Sequence, residues 1–125
     1  MQIQRESLRT VLHQNVAEVK FQRRKPKPGH PDQRRMLCTN SMALLNSAQG
    51  RTALGFKPPR QAPSYDTGPK NLIITWDIFV QGYRTISVDS CELISIIPAN
   101  ERFWDYFTEK IINMNASQKA SFMDV

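Results

Sequence analysis

Few side chains in this chain carry the chemistry of an enzyme, and their spacing keeps them apart. The histidines are His13 and His30. The first falls in a segment with helical periodicity, and the second sits between Gly29 and Pro31 in a turn. Cys38 and Cys91 are the candidate nucleophiles for a Cys-His pair, but both lie in segments patterned as strands, where a thiol is commonly buried and inert. Neither has a Cys or His at metal-ligand spacing, so neither a zinc site nor a disulfide framework is expected. Asp77 and Asp89 flank the same strand pair, at positions where aspartate ordinarily accepts turn hydrogen bonds, which makes paired acid catalysis a poor account of them. Gly-rich phosphate loops, His-Glu-x-x-His and Gly-x-Ser-x-Gly are absent from the sequence. The expectation is a protein that is not an enzyme and that needs neither cofactor nor metal.

Cations are a stronger signal. Lys20, Arg23, Arg24, Lys25, Lys27, Arg34 and Arg35 put seven positive side chains in sixteen residues, opposed only by Asp32. Such a cluster can neutralise several phosphates and release counterions, so it would bind DNA or RNA in a strongly salt-dependent way. The plainer account is a solvated hairpin tip whose charge keeps the protein dispersed.

The chain has 125 residues, a formal net charge of +6 and 40% hydrophobic residues, which suits one small domain. Up to residue 70 there are thirteen basic and four acidic side chains (+9), and beyond it four basic and seven acidic (−3). The basicity therefore belongs to the first part. Asn71 to Trp76, an uncharged and largely apolar run, is far short of the ~20 residues that span a bilayer. The amino end mixes Arg5, Glu6 and Arg9 where a signal peptide would be apolar. These features predict a soluble, cytoplasmic protein without a membrane partner.

The elements that position these residues follow from periodicity. Ser7 to Asn15 reads as a helix capped by Ser7, with Leu8, Val11 and Leu12 on one side. Val16 to Phe21 alternates, setting Ala17, Val19 and Phe21 toward a core and Val16, Glu18 and Lys20 toward water. Pro26, Pro28, Gly29 and Pro31 stop that strand, and Arg34 to Thr39 returns, so residues 22–35 form a cationic hairpin tip. Residues 40–70 read as an irregular insert, with one helical turn at Ser41 to Leu45. Within it, Lys57, Pro58, Pro59 and Arg60 are weak evidence for a polyproline ligand. Leu72 to Phe79 and Tyr83 to Val88 form a second hairpin with Gln81 and Gly82 at its turn, and Cys91 to Ile97 is the last strand, ended by Pro98. Asn100 caps a helix that aligns Phe103, Phe107 and Ile111, with Trp104 close by; residues from Asn115 onward are expected to fray.

Val19 and Phe21, then Arg35, Leu37, Cys38 and Thr39, and later Trp76, Asp77, Gly82, Tyr83, Arg84, Val88 and Asp89, resemble in order the small SH3-like (Sm-like) β-barrel proteins of large tailed phages, a family grouped with WYL domains. The resemblance covers about residues 7–97, apart from the tip at 25–33 and the insert at 40–70. It implies a mainly β fold: a five-stranded, strongly bent barrel over residues 1–98, with a short amino-terminal helix and an appended helix and tail over 99–125. It also implies nucleic-acid or protein-contact roles for a phage protein acting in the cytoplasm of an infected host.

Two functions from different classes follow. The first is a non-enzymatic accessory protein in transcription or genome processing that binds nucleic acid through Lys20, Arg23, Arg24, Lys25, Lys27, Arg34 and Arg35. Arg84 would be a secondary contact; burial against Asp77 or Asp89 is the rival role for Arg84, and burial in the core the rival role for Trp76. The second is a module that docks on a host or phage protein, either through an exposed face of Phe103, Trp104, Phe107 and Ile111 or through the Pro-rich segment at 57–69. If the helix folds back onto the barrel, that aromatic face is core instead.

Overall fold

The computed structural model describes residues 3–23, 25, 28–29, 32–58, 68–120 and 122. Five antiparallel strands run β1 Asn15–Gln22, β2 Gln33–Thr39, β3 Leu72–Asp77, β4 Gly82–Ser87 and β5 Glu92–Pro98, ordered β4-β3-β2-β1-β5. The strands match those expected to within about two residues. β1 is bonded on both sides, to β2 from Val16↔Thr39 to Gln22↔Gln33 and to β5 from Asn15↔Pro98 to Lys20↔Glu92. The sheet is not closed: β4 and β5 are its two edges. Helices α1 Arg5–Gln14, α2 Met42–Leu45, α3 Ala48–Ala53, α4 Glu101–Tyr106 and α5 Ala116–Ala120, a 3-10 turn Val88–Ser90 and a π turn Phe107–Ile111 complete the chain. The architecture is therefore mixed α/β, where a mainly β fold was expected. No helix among the described residues is long and apolar enough to cross a membrane.

Both sheet faces are covered. On the inner face Ala17, Val19, Phe21, Met36, Cys38, Ile73, Ile86, Val88 and Cys91 pack with Leu8 and Leu12 of α1. The apolar stripe read from sequence is the stripe α1 buries, although the helix starts at Arg5 with Gln4 at its cap position and leaves Ser7 exposed. At the end of β1 the Gln22 N–H donates to Ser90 Oγ (3.2 Å), which continues the Lys20↔Glu92 register just ahead of β5.

The opposite face was expected to be wet. Instead Val16 and Leu37 pack with Leu44, Leu45, Leu54, Phe56, Trp76, Ile78, Phe103, Ile111 and Phe122. Trp76 lies in this second core, with its indole N–H donating to the Leu54 carbonyl (3.3 Å) and its ring edge-on to Phe56 and Tyr83. Two segments supply the cover. One is the start of the insert, where Ser41 Oγ accepts from the Leu44 N–H and Ser47 Oγ from the Gly50 N–H, starting α2 and α3. Residues 40–58 are thus largely ordered by serine caps and by burial of Leu44, Leu45, Leu54 and Phe56. Residues 59–67 lie outside the described residues.

The second cover is the carboxyl part. Asn100 caps α4 as expected, its Oδ1 accepting from the Arg102 N–H (2.9 Å). The following π turn widens the spacing, and Phe103 and Ile111 are both buried. The tail expected to fray holds α5, where Asn115 and Gln118 exchange side-chain to backbone bonds (3.0 and 2.8 Å), and then the buried Phe122.

Gly50 marks the closest approach of two helices. A Cβ there would stand 2.1 Å from the Leu44 carbonyl oxygen and 2.7 Å from that of Leu45. Backbone on both sides cannot yield without moving α3. Gly50→Ala is therefore expected to lower stability by about 1–3 kcal/mol in urea unfolding. The same change at exposed Gln49 is expected to stay within about 0.5 kcal/mol.

Candidate nucleic-acid interface

The β1–β2 hairpin carries most of the candidate cations, and its root is well formed. Below the tip the Arg23 N–H donates to the Asp32 carbonyl (2.8 Å), extending the ladder past Gln22↔Gln33. Lys25 is exposed, while Lys20 and Arg23 are partly buried. Lys20 stands in register between Arg35 on β2 and Glu92 on β5. Arg24 and Lys27, and with them His30, lie outside the described residues.

Arg35 is on the outer face, its guanidinium 2.9 Å from Glu18 and 4.7 Å above the Phe122 ring. About 45% of its side chain remains exposed. Tyr106 belongs to the same patch: burial pushes its phenol up, the Glu18 carboxylate adds to that, and Arg35 pulls it back. Glu18 itself sits on the face once expected to be wet and is largely covered.

Arg34 departs from the expected surface site. Its side chain is 5% exposed, and Nη2 donates to Asp77 Oδ2 (2.5 Å) and to the Phe122 carbonyl (3.3 Å). The reason lies in the sheet. β2 and β3 pair only through Cys38↔Asp77 and Thr39↔Trp76, with one further bond from the Ile78 N–H to the Leu37 carbonyl. The strands diverge beyond that point, and Arg34 reaches from the start of β2 to the end of β3. A phosphate would have to displace a fully buried carboxylate to reach it, so Arg34 leaves the candidate interface.

Asp77, weighed as a partner for Arg84, pairs with Arg34 instead. Its other oxygen accepts from the N–H groups of Phe79 and Val80 (3.0 and 3.1 Å), the turn bonds expected of an aspartate at a strand end. The turn is longer than the expected Gln81-Gly82 pair. Gln81, not glycine, holds the left-handed conformation (φ 59°), and its N–H returns to the Asp77 carbonyl (2.8 Å). Arg84 is partly buried on edge strand β4, with Nη1 donating to the Tyr83 carbonyl (2.8 Å). Strand β3 separates β4 from the cationic hairpin, so Arg84 is not brought together with the cluster. Asp89 accepts from Asn71 Nδ2 (2.7 Å).

The aromatic helix is not an exposed docking face. Phe103 and Ile111 are buried, Trp104 and Phe107 are half-buried, and the three rings contact one another in the outer core. In the other proposed docking segment, Lys57 and Pro58 are exposed.

Both thiols are buried in the inner core. Burial raises Cys38, reinforced by the charges of Asp77 and Cys91 and only partly opposed by Thr75 and Arg34. Burial likewise pushes Cys91 up to about 11. His13 is exposed on α1, so it forms no pair with either thiol. Among the described residues no group of three His, Cys, Asp or Glu could hold a metal ion. Compared with family models, curated proteins and solved structures, the chain finds no match.

Two outcomes follow from these buried groups. Asp77→Ala strands the Arg34 guanidinium and uncaps the β3–β4 turn, with an expected cost of about 3–5 kcal/mol. Combining it with Arg34→Met should cost clearly less than the two single changes added together, as read from a double-mutant cycle. For the thiols, a folded-state value above the ordinary 9 means that the unfolded chain ionises first. The Cys91 contribution is thus complete below pH 9 and is lost as pH rises through 9 to about 11. Cys91→Ala should make the fall in stability over that interval shallower.

Proposed function

We propose that the protein is a non-enzymatic nucleic-acid-binding accessory protein that engages phosphates through the β1–β2 hairpin. The observation that carries this is the ordered root of that hairpin. An unbroken register and the Arg23 to Asp32 bond support a turn rich in cations, with Lys20, Arg23, Lys25 and Arg35 around it. Arg24 and Lys27 belong to the same turn by sequence. With Arg34 withdrawn, the local charge excess is smaller than the sequence suggests, yet it still dwarfs that of the net-acidic half beyond residue 70.

The sheet itself is read here as an opened SH3-like barrel. The strand order β4-β3-β2-β1-β5 and the 3-10 turn between β4 and β5 suit such a barrel. With that goes the resemblance to phage proteins and a role in transcription or genome processing. The alternative, docking through the aromatic helix, loses its main support because the helix buries those rings against the sheet.

Binding to a labelled DNA or RNA duplex should depend steeply on salt. About four phosphate contacts predict a loss of about a hundredfold in affinity between about 50 and about 200 mM salt. Reversing Arg23, Arg24 and Lys25 to Glu should abolish binding at the lower salt without altering the unfolding midpoint by more than a few degrees. Salt-insensitive binding, or none, would count against the assignment.

A further inference from the structure

Among the described residues after Asn115, one side chain holds the carboxyl-terminal segment down. Among the described residues of the tail, α5 buries none of its own, whereas Phe122 just beyond it is 5% exposed. Three groups receive it. The Phe79 ring stacks on it, with centroids 4.9 Å apart and planes 15° from parallel. The Arg35 guanidinium lies 4.7 Å above its ring, and Arg34 Nη2 donates to its carbonyl. A single aromatic anchor with its backbone oxygen captured is how a peptide occupies a groove. Here the groove and the peptide belong to the same chain.

Phe122 docks against one of the cations assigned above to phosphate contact. Arg35 is divided between Glu18, the Phe122 ring and water, and Phe79, which would otherwise offer a ring for stacking, is covered. From this juxtaposition we infer that Phe122 is an autoinhibitory cover over the outer-face end of the nucleic-acid surface, resting on the function proposed above. When it lifts, Arg35 and the Phe79 ring become available together. A guanidinium beside an open aromatic face is the arrangement that takes an unpaired base and its phosphate, so the ligand favoured by the uncovered state is single-stranded.

The direct test compares the full-length chain with Phe122→Ala and Phe122→Leu. The readout is anisotropy titration of a fluorescein-labelled DNA single strand of about 20 nucleotides at low salt. Both changes leave the net charge untouched, so a gain cannot come from a more basic protein. The expected result is about three- to tenfold tighter binding by Phe122→Ala and a smaller gain by Phe122→Leu, which fills the groove but gives Arg35 no ring. Phe107→Leu, which trims the same aromatic core without touching Arg34 or Arg35, should bind as the parent does. Circular dichroism establishes which variants are folded; if Phe122→Ala is not, Phe122→Leu carries the comparison. Parent binding with no gain in the folded Phe122 variant, or a gain equalled by Phe107→Leu, would overturn the cover alone. Binding of the single strand by none of these proteins, with the parent still binding a labelled duplex, would overturn the cover alone; binding of neither single strand nor duplex would overturn the nucleic-acid function and the cover with it.

Discussion

The carboxylate of Asp77 ties the start of β2 to the turn that follows β3, two parts of the chain far apart in sequence. One oxygen takes the guanidinium of Arg34 from the start of β2, and the other takes two backbone N–H groups of the turn that leads into β4. A charge buried this completely is tolerated only when its hydrogen-bonding capacity is filled, and here both oxygens are engaged. The geometry around it follows. β2 and β3 are free to diverge after two paired positions because the gap is spanned by a side chain instead of a ladder. Arg34 keeps one buried nitrogen, Nε, without a partner, a cost the pair carries in exchange for tying the two hairpins together.

The divergence also explains how a chain of this size covers both faces of a sheet. The inner face carries a compact core closed by α1, and the outer face carries a second apolar surface that is filled from elsewhere. The first part of the insert and the carboxyl helices fill it from two directions, meeting over Trp76, Val16 and Leu37. Phe122 reaches that same face at its margin, where the apolar surface gives way to Glu18, Lys20 and Arg35.

Much of the sheet was legible in the sequence because alternation and turn residues are local signals. The five strands, the stripe of α1, the Ser41 and Asn100 caps and the turn bonds of Asp77 all rest on such signals. What was not legible depended on partners. Val16, Glu18 and Lys20 form a polar-looking stripe in isolation, and nothing within the strand says that helices from residues 40–58 and 101–111 will lie over it. α3 was hidden because Gly50 and Thr52 are poor helix residues; the Ser47 cap was the available clue. Arg34 and Arg35 are adjacent and look alike, yet strand alternation sends them to opposite faces and opposite fates. Period-two reasoning applied to the second strand of the hairpin as well as the first would have separated them. Phe122 lacked any periodic context, and only its aromatic character in a polar tail hinted at an anchor.

The position of β1 has a consequence for how the protein comes into being. It is the strand bonded on both sides, and one of its neighbours, β5, pairs Val16 with Ile97 across most of the chain. Loop closure over such a span must be met before the pairing rewards it, which places the protein among slow, high-contact-order folders. On the ribosome the β1–β2 hairpin emerges before β5, with one of its edges open until residues up to Pro98 have been made. During that interval a hairpin with a strongly cationic turn and an unpaired apolar edge stands beside the RNA of the ribosome itself. The charge would then keep nascent chains apart while the edge waits for its partner.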